Sequence, residues 1–485
     1  MKEFDTAKLL EVGIQLSTEK DADLLLEEIL SAAMDFTNCD GGTLYTTNEN
    51  SLDFRTMITK SLGIRKNGKD EPITLPPVPM SRKNVCTCAA LDNAIINIPD
   101  VYFSESYDFS GPRNYDAITG YRTQSMLVIP MENNRDEVIG VLQLINAQNS
   151  EGGIIAFDSG YERLILSLSA QAAMRLTNIN YQREVEDLLD SFVRVMSSAI
   201  DERSPYTANH SRNMARYSER FISWLDKTAN PWQFSEMQKR QFLMSVQLHD
   251  IGKLVIPLEI MDKESRLGSA QDEIEHRLEV LTLQSKVDYL EGKITSEVHE
   301  KHLEQIAHGS ELMNSSNKAG FLPDDKINEI LSLALPTYEN ADGSLVPLLT
   351  ADEAARLSVQ KGTLTPEERG VMESHVVVTE RLLGQMNFSK DYSSVKGWAA
   401  SHHEHLNGKG YPKRLSGDEI PPEARLLTIV DVFDALTAND RPYKPAMPTE
   451  KALGILSSMV KDGQIDGDIL ALFIECSPWK DEETL

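Results

Sequence analysis

Seven residues of this chain have side chains suited to holding a metal ion: His210, the pair His249 and Asp250, His375, the pair His402 and His403, and Asp431. Neutral imidazole is the commonest protein metal ligand, and carboxylate oxygen supplies the negative charge a divalent cation needs. A single histidine on an apolar helix is ordinarily a satisfied core residue. The two aspartates change that reading, because each closes a largely apolar run, "QFLMSVQLHD" and "LLTIVD". A carboxylate buried in such a run must be paired or coordinate a cation, since desolvation otherwise costs several kcal/mol. Five histidines and two such aspartates on successive helices therefore point to one shared metal site. Neighbouring helical residues project about 100° apart, so His402 and His403 are expected to serve two ions rather than one.

The elements that must position these groups read as helices. "YTANHSRNMARYSERF" puts His210 near a helix start, and "QFLMSVQLHDIGKL" puts His249 and Asp250 where an apolar helix stops at Gly252. "EERGVMESHVVVTERLL" places His375 mid-helix, "VKGWAASHHEHLNGKGYP" places the pair at a helix end, and Asp431 lies inside "LLTIVDVFDALTAND". Gly408, Gly410 and Pro412 define a sharp turn after the paired histidines. Beyond residue 200 the pattern is almost entirely helical. His249 and His375 are 126 positions apart, and residues 265–361 between them form a charged segment expected to fold as a helical hairpin. Its histidines, His276, His299, His302 and His308, have charged neighbours and are expected on the surface.

The first 180 residues follow a different rhythm. Helical periodicity over 8–36 gives way to two strand–turn–strand patterns, "CDGGTLYTTNENSLDFRTMI" and "SMLVIPMENNRDEVIGVLQLINAQN", and then returns to helix. That order makes an α+β unit. From Tyr161 to about Ile200 apolar residues recur at three- and four-residue steps without proline or glycine. One long helix joining the halves is expected, with a stripe suited to a parallel homodimer.

At 485 residues the chain exceeds one ordinary core. Its net charge of −27 disfavours nonspecific binding to nucleic acid or anionic membrane, which needs clustered Lys and Arg. Four cysteines are too few for a disulfide framework, and "VCTC" lacks zinc-ribbon spacing. No signal-peptide core or membrane-spanning stretch is legible, so a cytoplasmic protein is expected.

Two resemblances sharpen these expectations. "NIPDVY", "YDAITGYRTQSMLVIPM" and "VIGVLQLINAQ" resemble a GAF domain, a small-molecule sensor fold. Asn146, Phe157 and Glu162 match a signature of cyclic-nucleotide-binding members, but Ala147 and Tyr161 depart from it, which leaves the small-molecule ligand open. "HDIGK", "HHEHLNGKGYP" and "DVFDALTANDRPYK" resemble the HD-GYP family of metal-dependent phosphohydrolases, which typically hydrolyse cyclic di-GMP.

This second resemblance implies two divalent ions, Fe or Mn, held by His210, His249, Asp250, His375, His402, His403 and Asp431. Asp250 would bridge the ions and orient the attacking water. Lys253, Arg441 and Lys444 would contact substrate phosphates, and Glu404 would orient a ligand imidazole. The loop of Gly410, Tyr411 and Pro412 would dock diguanylate cyclase partners. Tyr206 stands where some members carry a third-metal glutamate, which again gives two ions. The organisation expected is a GAF-like domain over 1–180, a connecting helix over 160–200, and an all-α HD-GYP domain over 185–485 with its insertion at about 265–361. Cyclic di-GMP is the expected substrate, to pGpG and GMP. 3′,3′-Cyclic GMP-AMP is the alternative, and a catalytically weak nucleotide-sensing scaffold is a different class.

Overall fold

The computed structural model describes residues 12–14, 18–19, 21–67, 73–203, 209–230, 232–340, 342–438 and 446–480. By contacts it divides into two compact units, residues 1–188 and 189–485.

The first unit is an antiparallel sheet covered on both faces. Helix α1 (Ala22–Thr37) is capped by the Asp21 carboxylate, which accepts the Asp23 and Leu24 amides. Strands β1 (Cys39–Asn48), β2 (Ser51–Thr59), β3 (Ile64–Lys66) and β4 (Val78–Pro79) follow, then α2 (Val85–Asp92), β5 (Ile96–Ile98) and α3 (Ser110–Thr119). Strands β6 (Met126–Glu132), β7 (Val138–Gln148) and β8 (Ile154–Ile155) complete the sheet, whose order is β3-β2-β1-β7-β6-β5. Both hairpins expected from the sequence are present, with Asn48 opposite Ser51 and Glu132 opposite Val138.

Strand alternation sorts the side chains onto two faces. Leu127, Ile129, Leu142 and Leu144 pack with α1 residues Leu26, Ile29 and Leu30, whereas Met126, Val128 and Val141 pack under α2 with Val85 and Cys86. On this second face lies a cavity of about 400 Å³ whose described lining, including Tyr45, Phe54, Met57 and Met126, carries no charged side chain. Asn146 and Glu162 are spent on internal bonds. The Asn146 amide donates to the Arg122 carbonyl (2.8 Å), and Glu162 accepts from Asn97 (2.8 Å).

Helix α4 (Ser159–Asp201) runs for 43 residues without a break. Ile165, Leu168, Ala172 and Leu176 lie in the core of the first unit, and Val193 and Ile200 in a core of the second. Val185, Leu188, Phe192 and Val195, spaced three, four and three residues apart, are exposed.

The second unit is mostly helical: α5 (His210–Lys227), α6 (Glu236–Leu248), a 3₁₀ turn (Ile251–Val255), α7 (Leu258–Met261), α8 (Ala270–Leu290), α9 (Ser296–Asn317), α10 (Asp324–Ser332), a two-stranded ribbon of β9 (Tyr338–Glu339) and β10 (Leu345–Val346), and α11 (Ala351–Leu357). Then come α12 (Pro366–Leu383), α13 (Val395–Ala399), α14 (Pro422–Thr437), α15 (Thr449–Lys461) and α16 (Gly467–Cys476). Met214, Phe221, Phe242, Leu427, Phe433, Leu456 and Phe473 interleave as the main core of this unit.

The long interval between His249 and His375 folds as more than a helical hairpin. Helices α8 and α9 pair, and α10, the ribbon and α11 close over them around Leu267, Leu278, Leu312, Met313, Ile330 and Leu357. The chain leaves and re-enters at one neck. There the Thr363 hydroxyl donates to the Lys263 carbonyl (3.0 Å), and the Lys263 ammonium, almost fully buried, meets Glu368 at 2.7 Å. Fully buried Arg266 donates to the carbonyls of Val359 (2.7 Å) and Ser316 (2.8 Å). His276 and His308 are exposed as expected, but His302 is not. It is 3% exposed, stacks on Tyr338 at 4.2 Å, and shares the Ser285 hydroxyl with His299. Charged neighbours in sequence misled here, because they lie on the other side of α9.

Candidate metal centre

Each ligand-type residue is delivered by its own element. His210 is the first residue of α5, and His249 caps the end of α6 with Asp250 next to it. His375 lies mid-way along α12, and Asp431 inside α14. His402 and His403 follow α13 in a turn rather than inside a helix.

That turn corrects the expectation for the pair. Ligand atoms of His375, His402 and His403 all lie within 4.8 Å of one another, so both members of the pair share one cluster. The 100° separation of helical neighbours does not apply to residues past the helix end. His210, His249 and Asp431 make a second cluster within the same limit, and His402 also closes on His249 and Asp250.

Asp250 faces both clusters. Its Oδ2 is 3.3 Å from His249 Nε2 and 3.9 Å from His210 Nε2. Its Oδ1 is 3.3 Å from His375 Nε2 and 3.9 Å from His402 Nε2. The Lys253 ammonium contacts Oδ2 as well.

The tautomers explain why a cation fits. Nδ1 of His249, His375 and His402 donates, in each case at 2.7 Å, to the carbonyl three residues earlier, from Val246, Met372 and Ala399. The proton of each neutral ring is therefore on Nδ1, and the Nε2 lone pair points inward. All three Nε2 atoms and Asp250 Oδ1 are buried without a hydrogen-bond partner. Acceptors facing acceptors at 3.3 Å are costly unless positive charge lies between them.

Electrostatics agree. Burial, reinforced by the neighbouring histidines, holds His402 well below the usual imidazole range, and burial holds His403 at about 4. Both rings are neutral near pH 7 with lone pairs to give. Burial alone would raise Asp250, but the adjacent His249 ring and the Lys253 ammonium hold it far below the usual carboxylate range. His210 behaves oppositely. Burial opposes its charge, yet hydrogen bonds to Asp431 (3.3 Å) and Asp434 (2.7 Å) raise it to about 10. Without a metal, its proton supplies the positive charge this acidic corner requires.

Asp434 was missed in the sequence. It is fully buried one turn after Asp431, and it accepts from His210 Nδ1, the carboxylate–imidazole arrangement that orients metal-binding histidines. The legible signal was the i, i+3 repeat of aspartate in "DVFD". Thr379 was missed too. On α12, one turn after His375, its buried hydroxyl donates to the His249 carbonyl (2.9 Å) and accepts the Gly252 amide (3.0 Å). Gly252 lies so close that a Cβ there would be 1.8 Å from the His375 carbonyl oxygen. The glycine permits contact between the two ligand-bearing segments, and the hydroxyl ties them.

Glu404 does not orient an imidazole. Its buried carboxylate accepts the amides of Lys413 (2.7 Å) and Leu415 (2.9 Å), so both oxygens are committed to the loop that follows. That loop folds back on the ligands. A Cβ at Gly410 would lie 2.3 Å from the His405 nitrogen, the Tyr411 amide donates to the His403 carbonyl (3.1 Å), and the Tyr411 ring lies 4.7 Å from that of His403. The peptide bond between Tyr411 and Pro412 is cis. Tyr206, Arg441 and Lys444 lie outside the described residues.

Comparison with known proteins gives the same two halves. Residues 21–176 match the GAF domain and residues 348–469 the HD domain. The second match begins within the long interval, so it includes His375, His402, His403 and Asp431 but not His210, His249 or Asp250. Over 95 residues the chain is 40% identical to 3′3′-cGAMP-specific phosphodiesterase 3 of Vibrio cholerae, an alignment spanning 20% of either chain. It is 31% identical over 196 residues to the cyclic di-GMP phosphodiesterase response regulator RpfG of Xanthomonas campestris, covering 40% of this chain and 47% of the relative. Among solved structures, the GAF domain of an Acinetobacter phosphoenolpyruvate-protein phosphotransferase aligns with 38% of this chain and 99% of its own, at 14% identity and a TM-score of 0.30. The chain thus spans less than half the length of these two curated relatives. It carries a GAF domain match and an HD domain match, with its His-Asp and Gly-Tyr-Pro motifs gathered at the two touching clusters.

Proposed function

We propose that the chain is a metal-dependent phosphodiesterase that opens cyclic di-GMP. The observation that carries this reading is the carboxylate of Asp250 set between two three-residue clusters, with inward lone pairs on His249, His375 and His402. In this reading His210, His249 and Asp431 hold one divalent cation, Fe or Mn, and His375, His402 and His403 hold a second. Asp250 would lie beside both. Bound there, such a pair supplies Lewis acidity and makes water nucleophilic near neutral pH.

The chain's own groups do the rest. Asp250 stands between the two clusters, and Lys253 beside it would offer a point charge to a phosphate oxygen. The Tyr411 ring over His403 keeps bulk water from that side. Water adds to phosphorus, the bond to the ribose 3′-oxygen breaks, and a proton passes to that oxygen, giving linear pGpG. A second round would give GMP. Arg441 and Lys444 are proposed as further phosphate contacts.

Cyclic GMP-AMP is the second reading, favoured by the 40% identity to a phosphodiesterase named for it. The GAF domain is proposed to take a small molecule in its uncharged cavity and tune hydrolysis. Exposed Val185, Leu188, Phe192 and Val195 are proposed as the seam of a parallel homodimer, and the Gly410–Tyr411–Pro412 loop as a face for a diguanylate cyclase. Among the described residues no helix is long and apolar enough to cross a membrane, and the four cysteines are free thiols. A cytoplasmic setting suits those thiols.

The test is incubation of anaerobically purified, Fe- or Mn-loaded protein with cyclic di-GMP and with cyclic GMP-AMP, with products separated by chromatography. Turnover to pGpG that disappears in Asp250→Ala supports the reading. A well-metallated protein that leaves both nucleotides intact, with or without residues 1–180, refutes it.

A further inference from the structure

A groove of about 500 Å³ lies between the N-terminal half of α12 and the segment that closes the inserted module. One wall is Ala355, Ser358, Val359 and Gln360, and the other includes Leu364, Pro366, Arg369 and Glu373. The first wall is braced: the Val359 carbonyl accepts from Arg266 (2.7 Å) and the Gln360 carbonyl from the Leu322 amide (2.8 Å). The second wall belongs to the helix that carries His375. Glu373 is two residues, or about 3 Å along the helix axis and about 200° around it, before His375. Burial and then the charge of Glu373, ahead of Asp250 and Asp431, push the Tyr411 phenol up, and Tyr411 packs on His403.

Arg369 and Glu373 stand one helical turn apart, where opposite charges ordinarily pair. Neither side chain has an ion-pair or hydrogen-bond partner among the described residues. A guanidinium and a carboxylate held apart over a small, mostly apolar wall match a flat heterocycle that offers both donors and acceptors. Guanine is that heterocycle. Its N1–H and exocyclic N2–H donate to a carboxylate, while O6 and N7 accept from an arginine fork. Adenine offers no O6 and no N1–H, and a phosphate alone would meet the charge of Glu373.

We propose that this groove is a guanine subsite for the cyclic dinucleotide, with Glu373 and Arg369 as its specificity-determining residues and the inserted module as one wall. The proposal rests on the phosphodiesterase reading for its ligand, and its test does not depend on turnover. Calorimetry on metal-free, full-length protein measures binding of cyclic di-GMP and of cyclic di-AMP. The native protein should bind the guanine ligand at least about tenfold tighter, a difference of about 1.4 kcal/mol. Glu373→Gln and Arg369→Ala should each bring that ratio below about threefold. A native protein without preference, or variants that keep it, overturns the subsite. Metal-loaded native protein that binds with this preference but leaves cyclic di-GMP intact defeats the hydrolase reading and leaves the groove standing. Hydrolysis with an unchanged preference in both variants does the reverse.

Discussion

Replacing Asp434 by asparagine isolates what one buried carboxylate does for the centre. Its Oδ2 is 2.7 Å from His210 Nδ1, and it is fully buried. In the native chain Nδ1–H donates to this carboxylate, so in the neutral ring Nε2 keeps its lone pair toward Asp431 and Asp250. An asparagine amide at the same place can donate to Nδ1 instead, which moves the ring proton to Nε2 and closes that ligand. Loss of such an orienting partner costs about 10–100-fold in metal affinity, or about 1.4–2.7 kcal/mol. The D434N variant should therefore keep about one of two metal equivalents after dialysis against a chelator of intermediate strength, read by elemental analysis. Proton release gives a second readout. His210 stands at about 10 in the metal-free fold, so it is charged at pH 7 and must lose its proton when a cation binds. Calorimetry in buffers of different ionisation enthalpy should show that proton in the native protein and less of it in D434N. Two tightly held equivalents and unchanged proton release in D434N would refute the argument.

The raised value of His210 has a consequence for stability as well. A base whose folded pKa lies above its unfolded value of 6.5 stabilises the fold fully below pH 6.5 and loses that contribution as pH rises through about 10. Metal-free protein should thus lose on the order of a few kcal/mol over that window, seen as a falling urea midpoint, whereas metal-loaded protein should not. Thr379→Val leaves the His249 carbonyl and the Gly252 amide unsatisfied, which should cost about 2–4 kcal/mol by urea unfolding, with recovery in Thr379→Ser; an unchanged midpoint would mean the bridge contributes nothing. Glu404→Ala should loosen residues 406–416 in hydrogen exchange while metal content stays native, and loss of a metal equivalent would return Glu404 to imidazole orientation. Leu188→Glu with Phe192→Glu should give monomers by light scattering if α4 is the dimer seam, and an unaltered mass would remove that seam.

The ligand set was legible because each member is a type that rarely sits in an apolar run without a reason. Asp250 and Asp431 carried that signal, and the structure brings all seven residues into two touching clusters. The strand alternation of β6 and β7 was equally readable, since period-two burial leaves a direct trace in Leu127, Ile129, Leu142 and Leu144. What stayed hidden depends on where chains end or touch. His402 and His403 share a cluster because α13 stops at Ala399, and a helix end is uncertain by more residues than the argument about their projection allowed. Glu404 and Thr379 act on backbone amides and carbonyls from segments 9–11 and 127–130 positions away, and no local pattern encodes a partner at that distance. The inserted module shows the same limit. Its helices were periodic, but its single neck, Lys263 against Glu368 and Thr363, is a property of the closed chain. That neck lets residues 265–361 intervene between His249 and His375 without moving either. The same closure lays Val359 and Gln360 beside α12, so a segment that reads in sequence as an interruption of the site becomes a wall against the helix that carries His375.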